Sequence, residues 1–252
     1  MASRRFEGKV ALVTGAASGM GRATCLRLAA EGASLFGIDI EREGLAETGA
    51  LASRAGGKLQ SAVLDVTRRE DCRRAVDAAL AAFGRLDVLC NIAGIVRFAH
   101  SHEMPQEEWD RVIAVNLSGP FFLCQAAIPH LLETGGNIVN LASNAGLMGQ
   151  AYTAAYCASK AGLVNLTRAL AMEYMKQPIR INAVCPSGTR TGMTRGLVWP
   201  EGMDLDLMGR YRGFRKLSEA DEIAAAIAYV ASDDAKSMHG SIFSIDNGVT
   251  AG

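Results

Sequence analysis

The sequence predicts a doubly wound α/β domain, with about seven parallel strands in one sheet and helices on both faces. Three observations carry that expectation. Apolar runs of strand length alternate with helix-length segments along all 252 residues. The first strand runs into a glycine-rich turn and then a helix. Small or polar residues recur at strand ends, where ligands sit in such sheets. No Pro/Ser-rich linker or internal repeat interrupts the alternation, so one domain is expected over 1–252, with a substrate lid at about 187–216.

Lys9 to Thr14 is a short continuous apolar run, as expected of a strand buried on both faces. It leads into Gly15-Ala-Ala-Ser18-Gly19-Met20-Gly21, and Arg22 to Glu31 reads as a helix. Glycines permit a tight turn and close backbone approach, while the helix N-terminus offers N–H groups to a pyrophosphate. A second strand, Ser34 to Ile40, carries Asp39 at its end, eighteen residues after Gly21. A carboxylate there is placed to accept from ribose hydroxyls and to repel a 2′-phosphate, which favours NAD(H) over NADP(H). Arg42 lies between Glu41 and Glu43 and reads as solvated.

Glu41 to Ala55 reads as a helix, stopped by Gly56-Gly57, and Lys58 to Val66 as the third strand, ending in Leu64-Asp65-Val66. Asp65 either reaches an adenine amino group or caps the next helix, Arg69 to Phe83. Leu86 to Asn91 is the fourth strand, and Ile92-Ala93-Gly94 let backbone pass close to a cofactor. Asp110 to Leu132 reads as one long helix with Asn116 in its middle, either a core amide or a functional one. Gly136 to Leu141, Ile179 to Val184 and Gly240 to Asp246 complete the strands. Pro186 to Lys216 is expected to be irregular, and Ser218 to cap a helix running to Ala231.

The stretch from Asn140 to Met175 holds the reactive groups. Tyr156 and Lys160 are four apart, one turn along the same face of the helix Thr153–Lys176. A phenol ionises near pH ~10, and a fixed ammonium nearby favours phenolate. Ser143, at the end of the fifth strand, is placed to hold a substrate oxygen against that phenol. Proton transfer to or from an alcohol oxygen is the chemistry these three side chains suit.

Composition excludes other classes. Lys plus Arg and Asp plus Glu balance at 26 each, which gives no electrostatic reason to expect nucleic acid or an anionic membrane. The six cysteines are scattered without Cys-x-x-Cys or zinc-ligand spacing, and read as small buried side chains; no metal is expected. No signal peptide is visible and no run reaches the ~18 apolar residues of a span, so a cytoplasmic location is expected.

Taken together, the motifs resemble the short-chain dehydrogenase/reductase family over essentially the whole chain. Thr14-Gly15-x-x-x-Gly19-x-Gly21 looks like its cofactor turn, and Asn91-x-Ala93-Gly94 like its fourth-strand motif. Asn116, Ser143, Tyr156 and Lys160 look like its catalytic tetrad, with Tyr156 thirteen residues after Ser143. The resemblance implies a Rossmann-like fold with NAD as cofactor. Tyr156 would be the acid/base and Ser143 the group orienting the substrate oxygen. Lys160 would hold the nicotinamide ribose and lower the phenol's pKa, and Asn116 would anchor a relay water. It also implies cofactor contacts at Ser18, Met20, Asp39, Asp65, Val66, Asn91, Ala93 and Gly94. Pro186, Gly188 and Thr189 or Thr191 would hold the carboxamide. Ser187 and Asn247 stand where the family usually has glycine.

An NAD-dependent dehydrogenase or ketoreductase acting on a small-molecule secondary alcohol is therefore expected. The alternatives are a 3-oxoacyl-thioester reductase gripping its acyl carrier through Arg190, Arg195, Arg210, Arg212 and Arg215, and a non-catalytic nucleotide-binding scaffold. Val96, Phe98, Ala145, Leu147, Met148, Gln150, Tyr152, Met193, Leu197, Trp199 and Met208 are candidate pocket residues. Their apolar and aromatic character points to a hydrophobic, cyclic or steroid-like alcohol. Small faces on the two long helices (Ala161, Leu163, Val164, Ala169, Leu170), together with the resemblance, lead to a homotetramer.

Overall fold

The computed structural model describes residues 4–194 and 198–251. Arg195 and Leu197 lie outside the described residues, as does the side chain of Arg212. Seven strands form one sheet: β1 Val10–Thr14, β2 Ser34–Asp39, β3 Lys58–Val63, β4 Val88–Asn91, β5 Asn137–Leu141, β6 Arg180–Pro186 and β7 Ile242–Ile245. All pair in parallel, in the order β3-β2-β1-β4-β5-β6-β7. The chain winds outward from β1 in one direction and from β4 in the other. The crevice beyond the C-termini of β1 and β4 is thus the switch point where such sheets bind ligands.

Eight helices are described: α1 Gly19–Ala30, α2 Arg42–Arg54, α3 Arg69–Phe83, α4 Gln106–Ile113, α5 Gly119–Thr134, α6 Ala154–Glu173, α7 Leu205–Arg212 and α8 Ala220–Ala231. The central strands are apolar at consecutive positions because successive side chains enter different cores. Ala11 and Val13 pack with Leu28 of α1 and Ile227 of α8 on one face. Val10 and Leu12 pack with Val76 of α3, Leu123 of α5 and Leu170 of α6 on the other. The edge strand β3 instead alternates exposed polar residues, Lys58, Gln60 and Ser61 among them, as an unpaired edge requires.

The structure corrects several expectations. The predicted long helix is interrupted by a π-helical turn, Ala114–Ser118, between α4 and α5. An α-helical ladder would pair the Asn116 carbonyl with the N–H of residue 120, but that residue is Pro120, which has none. The segment Pro186–Lys216 is not wholly irregular. It contains a two-residue strand, Thr189–Arg190, a 3₁₀ turn and α7, and the short strand pairs in parallel with Ser218–Glu219. Ser218 therefore belongs to that ladder, and the α8 cap is Glu219, whose side chain accepts from the backbone of Glu222 in a reciprocal capping box.

Two surface expectations also change. Of the residues expected on the helix face, Leu163, Val164 and Leu170 are buried within the chain, whereas Ala161 and Ala169 are exposed. The continuous helical stretch Gln106–Thr134 contains a window of mean hydropathy 1.5, long and apolar enough to span a bilayer, although half of that window is buried inside the domain. Such a profile also describes a core helix of a soluble protein.

Leu89, fully buried in β4, should lose about 2–5 kcal/mol of stability when replaced by alanine. Gln60→Ala on the exposed edge should change it by less than about 0.5 kcal/mol. Urea unfolding of the two variants provides the comparison.

Candidate active site

The glycine turn is built by close contacts that leave no room for a side chain. A Cβ at Gly21 would lie 1.9 Å from the Gly15 carbonyl oxygen, and one at Gly15 would lie 3.0 Å from the Ala93 backbone. Gly15 and Gly19 also have positive φ, at 69° and 52°. The turn presses β1's end against the loop after β4, and α1 starts with its N-terminus facing the crevice.

Thr14 holds this junction together. Its Oγ1 accepts from the Ile92 and Ala93 N–H groups, both at 2.9 Å. Asp39 stands at the end of β2, where one carboxylate oxygen accepts from Ala17 N at 3.1 Å and the other from Glu41 N at 3.1 Å. Two backbone donors orient the group without exhausting its capacity to accept. Asp65 does not cap α3. Its Oδ1 accepts from Thr67 N and Oγ1, at 2.9 and 2.8 Å, and builds the turn before the helix.

A cleft of about 360 Å³ lies along this crevice. Of the expected cofactor residues, Gly15, Ser18, Gly19, Met20, Gly21, Asp39, Asp65, Val66, Ala93, Gly94 and Thr191 line it. Asn91 does not. Its side chain is buried in the sheet, where Nδ2 donates to Asn140 Oδ1 at 2.8 Å and ties β4 to β5. Arg111 and Val115 line the cleft as well and were not expected there. They are four apart on one helical face, next to Asn116, a periodicity that pointed to them.

Ser143, Tyr156 and Lys160 meet at the C-terminal end of β5. Lys160 is only 3% exposed; its Nζ donates to the Leu141 carbonyl at 2.7 Å and lies 5.8 Å from the centre of the Tyr156 ring. Burial lowers the ammonium's pKa to about 8, because the charged form is desolvated. Burial also raises the Tyr156 phenol, and the Ser143 hydroxyl partly offsets this through a hydrogen bond. The expected depression of the phenol by Lys160 is therefore not what prevails in the chain alone: desolvation dominates, and the opposing contribution comes from Ser143.

Asn116 is fully buried, and its amide is fully used. Oδ1 accepts from Ile95 N at 2.9 Å, while Nδ2 donates to Ile95 O at 2.9 Å and Ser159 Oγ at 3.1 Å. The side chain fastens the loop after Gly94 to α6, one residue before Lys160. Water anchoring, which the family resemblance implied, would have to use its backbone carbonyl in the π-helical turn.

Beyond the three reactive groups lies a second cavity of about 460 Å³. Pro186, Gly188 and Thr189 line this cavity rather than the cleft, alongside Ser143, Tyr156 and Lys160. Val96, Phe98, Gln150, Met193, Trp199 and Met208 line it as expected, but Ala145, Leu147, Met148 and Tyr152 do not. Tyr152 instead accepts from Asp204 N at 2.9 Å through its hydroxyl. The cleft and the cavity share Met20, Ile92, Gly94, Val96, Thr191 and Met193, so they are adjoining halves of one site. Asn247, one of the two departures from the family pattern, takes φ 57° and donates to Lys216 O and Ser218 Oγ, both at 3.1 Å. It thereby secures the far end of the cavity wall.

Comparison with known proteins agrees with this geometry. A family model described as enoyl-(acyl carrier protein) reductase matches residues 15–250. The chain is 39% identical over 246 residues to the 3-oxoacyl-(acyl-carrier-protein) reductase of Thermotoga maritima, covering 97% of this chain and 99% of the relative. It is 38% identical to the meso-2,3-butanediol dehydrogenase of Serratia marcescens, over 98% of this chain and 96% of the relative. The solved structure of carveol dehydrogenase from Mycobacterium avium in complex with NAD superposes with a TM-score of 0.88 at 31% identity, covering 98% of this chain and 99% of the other.

The Lys160 shift sets a pH dependence. Its folded pKa, about 8, lies below the unfolded value of 10.5, so between these pH values the unfolded chain binds more protons and stability rises with pH. The stability of the protein relative to Lys160→Met should therefore climb by a few kcal/mol across that window, read from urea midpoints at successive pH values.

Proposed function

The chain belongs to the short-chain dehydrogenase/reductase family, and we propose that it is an NAD(H)-dependent oxidoreductase interconverting a secondary alcohol and a ketone. One observation carries the reading: Ser143, Tyr156 and Lys160 line a largely apolar cavity that adjoins the cleft through shared walls. The cleft suits a dinucleotide. Its floor is closed to any Cβ at Gly15 and Gly21, and a helix N-terminus faces it. Asp39 supplies a carboxylate where ribose hydroxyls would lie.

The nicotinamide, when bound, accepts hydride from the carbinol carbon or delivers it to the carbonyl carbon. The remaining work falls to this chain's side chains. Ser143 holds the substrate oxygen, and Tyr156 removes its proton in oxidation or returns it in reduction. Lys160 sits under the phenol on the Leu141 carbonyl and supplies positive charge that favours phenolate. Asn116 keeps the Ile95 loop in place beneath Gly94, where a Cβ would come 3.3 Å from Asn116 Oδ1 and 3.5 Å from Lys160 Nζ.

The lining supports a substrate with an apolar body. Val96, Phe98, Met193, Trp199, Met208 and Leu217 surround the cavity, and the Phe98 and Trp199 rings lie 4.5 Å apart. A hydrophobic or cyclic secondary alcohol fits that surface better than a charged one. Reduction of a 3-oxoacyl thioester on acyl carrier protein is the second reading, favoured by the likeness to the Thermotoga maritima enzyme. Two features weigh against it: Asp39 disfavours NADPH, and Arg190 is engaged by Glu219 at 2.9 Å. The description of the matching family model names enoyl reduction, but Tyr156 and Lys160 on one helical turn beside Ser143 support CH–OH chemistry instead.

Tyr156→Phe should lower kcat for oxidation of secondary alcohols by about 10²–10⁴-fold or more while NADH binding, followed by fluorescence titration, stays unchanged. Surviving turnover would refute the acid/base role. kcat/KM with NADH should exceed that with NADPH by at least about tenfold, and Asp39→Ala should erode that preference. A native preference for NADPH would instead favour the thioester reading.

A further inference from the structure

Among the described residues, three buried side-chain atoms have no hydrogen-bond partner: Asn91 Oδ1, Asn137 Oδ1 and Asn144 Nδ2. Asn91 and Asn137 lie in strands of the sheet. Asn144 instead follows Ser143 and lines the substrate cavity, where it is 3% exposed. An unpaired polar atom in that position is costly, and a ligand that completes its bonding recovers the loss.

The Asn144 carboxamide is half of a pair. One end of it is hydrogen-bonded to the Gln150 amide at 3.1 Å and lies 3.2 Å from Ser143 Oγ. Gln150 is half-buried and lines the same cavity, and the other end of its amide has no partner among the described residues. A carboxamide keeps its shape when turned end for end. Turning both preserves their mutual bond and the Ser143 contact, whereas turning one alone sets like ends together. In either permitted arrangement one end of Asn144 and one end of Gln150 stay unpaired. Other polar side chains on the cavity wall are engaged. Thr153 donates to Gln150 O, Thr189 to Ser187 O and Tyr211 to Ala151 O, and Arg190 pairs with Glu219.

The pair is placed for a second oxygen. Its two links carry the Gln150 amide to within two hydrogen-bond lengths of Ser143 Oγ. In a gauche 1,2-diol the oxygens stand about one O–H···O length apart, so a diol with one oxygen on Ser143 brings the other to the Gln150 end. A hydroxyl both donates and accepts, and so meets either end of a carboxamide. We propose that the Asn144–Gln150 pair is a subsite for a second hydroxyl on the carbon next to the reacting carbinol, which makes the substrate a vicinal diol with an apolar body. The proposal rests on the alcohol–ketone reading, in which Ser143 holds the reacting oxygen. In oxidation the diol gives a hydride from the carbinol carbon to the nicotinamide and the proton of that hydroxyl to Tyr156. The product is an α-hydroxyketone, and the second hydroxyl stays intact on the carboxamides.

Initial rates with NAD test this on cyclohexane-1,2-diol, cyclohexane-1,4-diol and cyclohexanol, which share one ring. Wild-type kcat/KM should favour the 1,2-diol over both others by at least about tenfold. Gln150→Met keeps the side-chain length without the amide, and should bring the ratio of 1,2-diol to cyclohexanol down to about one. Gln150→Ala gives the same test should the methionine variant not fold, with near-ultraviolet circular dichroism as the check on folding. A wild-type ratio near one overturns the proposal, as does an equal gain for the 1,4-diol or a preference that survives in a folded Gln150 variant. Binding supplies a measurement independent of turnover. Trp109→Phe leaves Trp199, in the cavity wall, as the sole tryptophan, and its fluorescence in cofactor-free protein reports Kd for each compound. The 1,2-diol should bind at least about tenfold more tightly than cyclohexanol, and adding Gln150→Met should remove the difference. Equal affinities overturn the subsite. If the wild type oxidises no alcohol, the proposed function fails and the fluorescence comparison alone decides the subsite.

Discussion

The site depends on a pair of hydrogen bonds at the centre of the sheet. Thr14 Oγ1 accepts from two successive N–H groups, Ile92 and Ala93, and so binds the end of β1 to the loop leaving β4. These N–H groups have passed the end of the β1–β4 ladder and would otherwise be orphaned inside the protein. With the junction closed, Gly15 lies against Ala93, the Gly15–Gly21 turn is compressed, and α1 starts at the crevice. Every feature of the cleft, from the Asp39 carboxylate to the Gly94 backbone, is positioned relative to that fastening.

A second constraint is the burial of charge. Lys160 sits inside the protein with one carbonyl partner among the described residues, and it keeps its proton less firmly than a solvated lysine. Tyr156 holds its proton more firmly than a solvated tyrosine. Desolvation pushes the two values apart, the ammonium down to about 8 and the phenol above its ordinary value, because burial disfavours the charged form of each. The Ser143 hydroxyl offsets part of the rise at the phenol through a hydrogen bond.

Packing of the polar interior explains where sequence reasoning erred. Asn91 sits at a strand end, as a cofactor ligand would, yet its amide turns into the sheet toward Asn140. Asn116 was legible as a special position, but the π-helical turn that houses it follows from Pro120, whose missing N–H disrupts the α-helical ladder. The lid segment resisted reading because its order comes from distant partners. Thr189–Arg190 becomes a strand only by pairing with Ser218–Glu219, which Asn247 holds in place from the C-terminal turn.

What the sequence determined by itself was whatever short-range patterning encodes. Apolar runs and helical periodicities specified the order of strands and helices. Glycine spacing marked the phosphate turn, Asp39 the ribose end, and the Tyr156–Lys160 interval the reactive face. Those features are local, set by backbone sterics and by neighbours three or four residues apart. The tertiary structure alone decided which polar groups face the crevice and how far burial moves the phenol and the ammonium. Each of these depends on groups brought together across the sheet, and desolvation is a property of the enclosing fold rather than of any one segment.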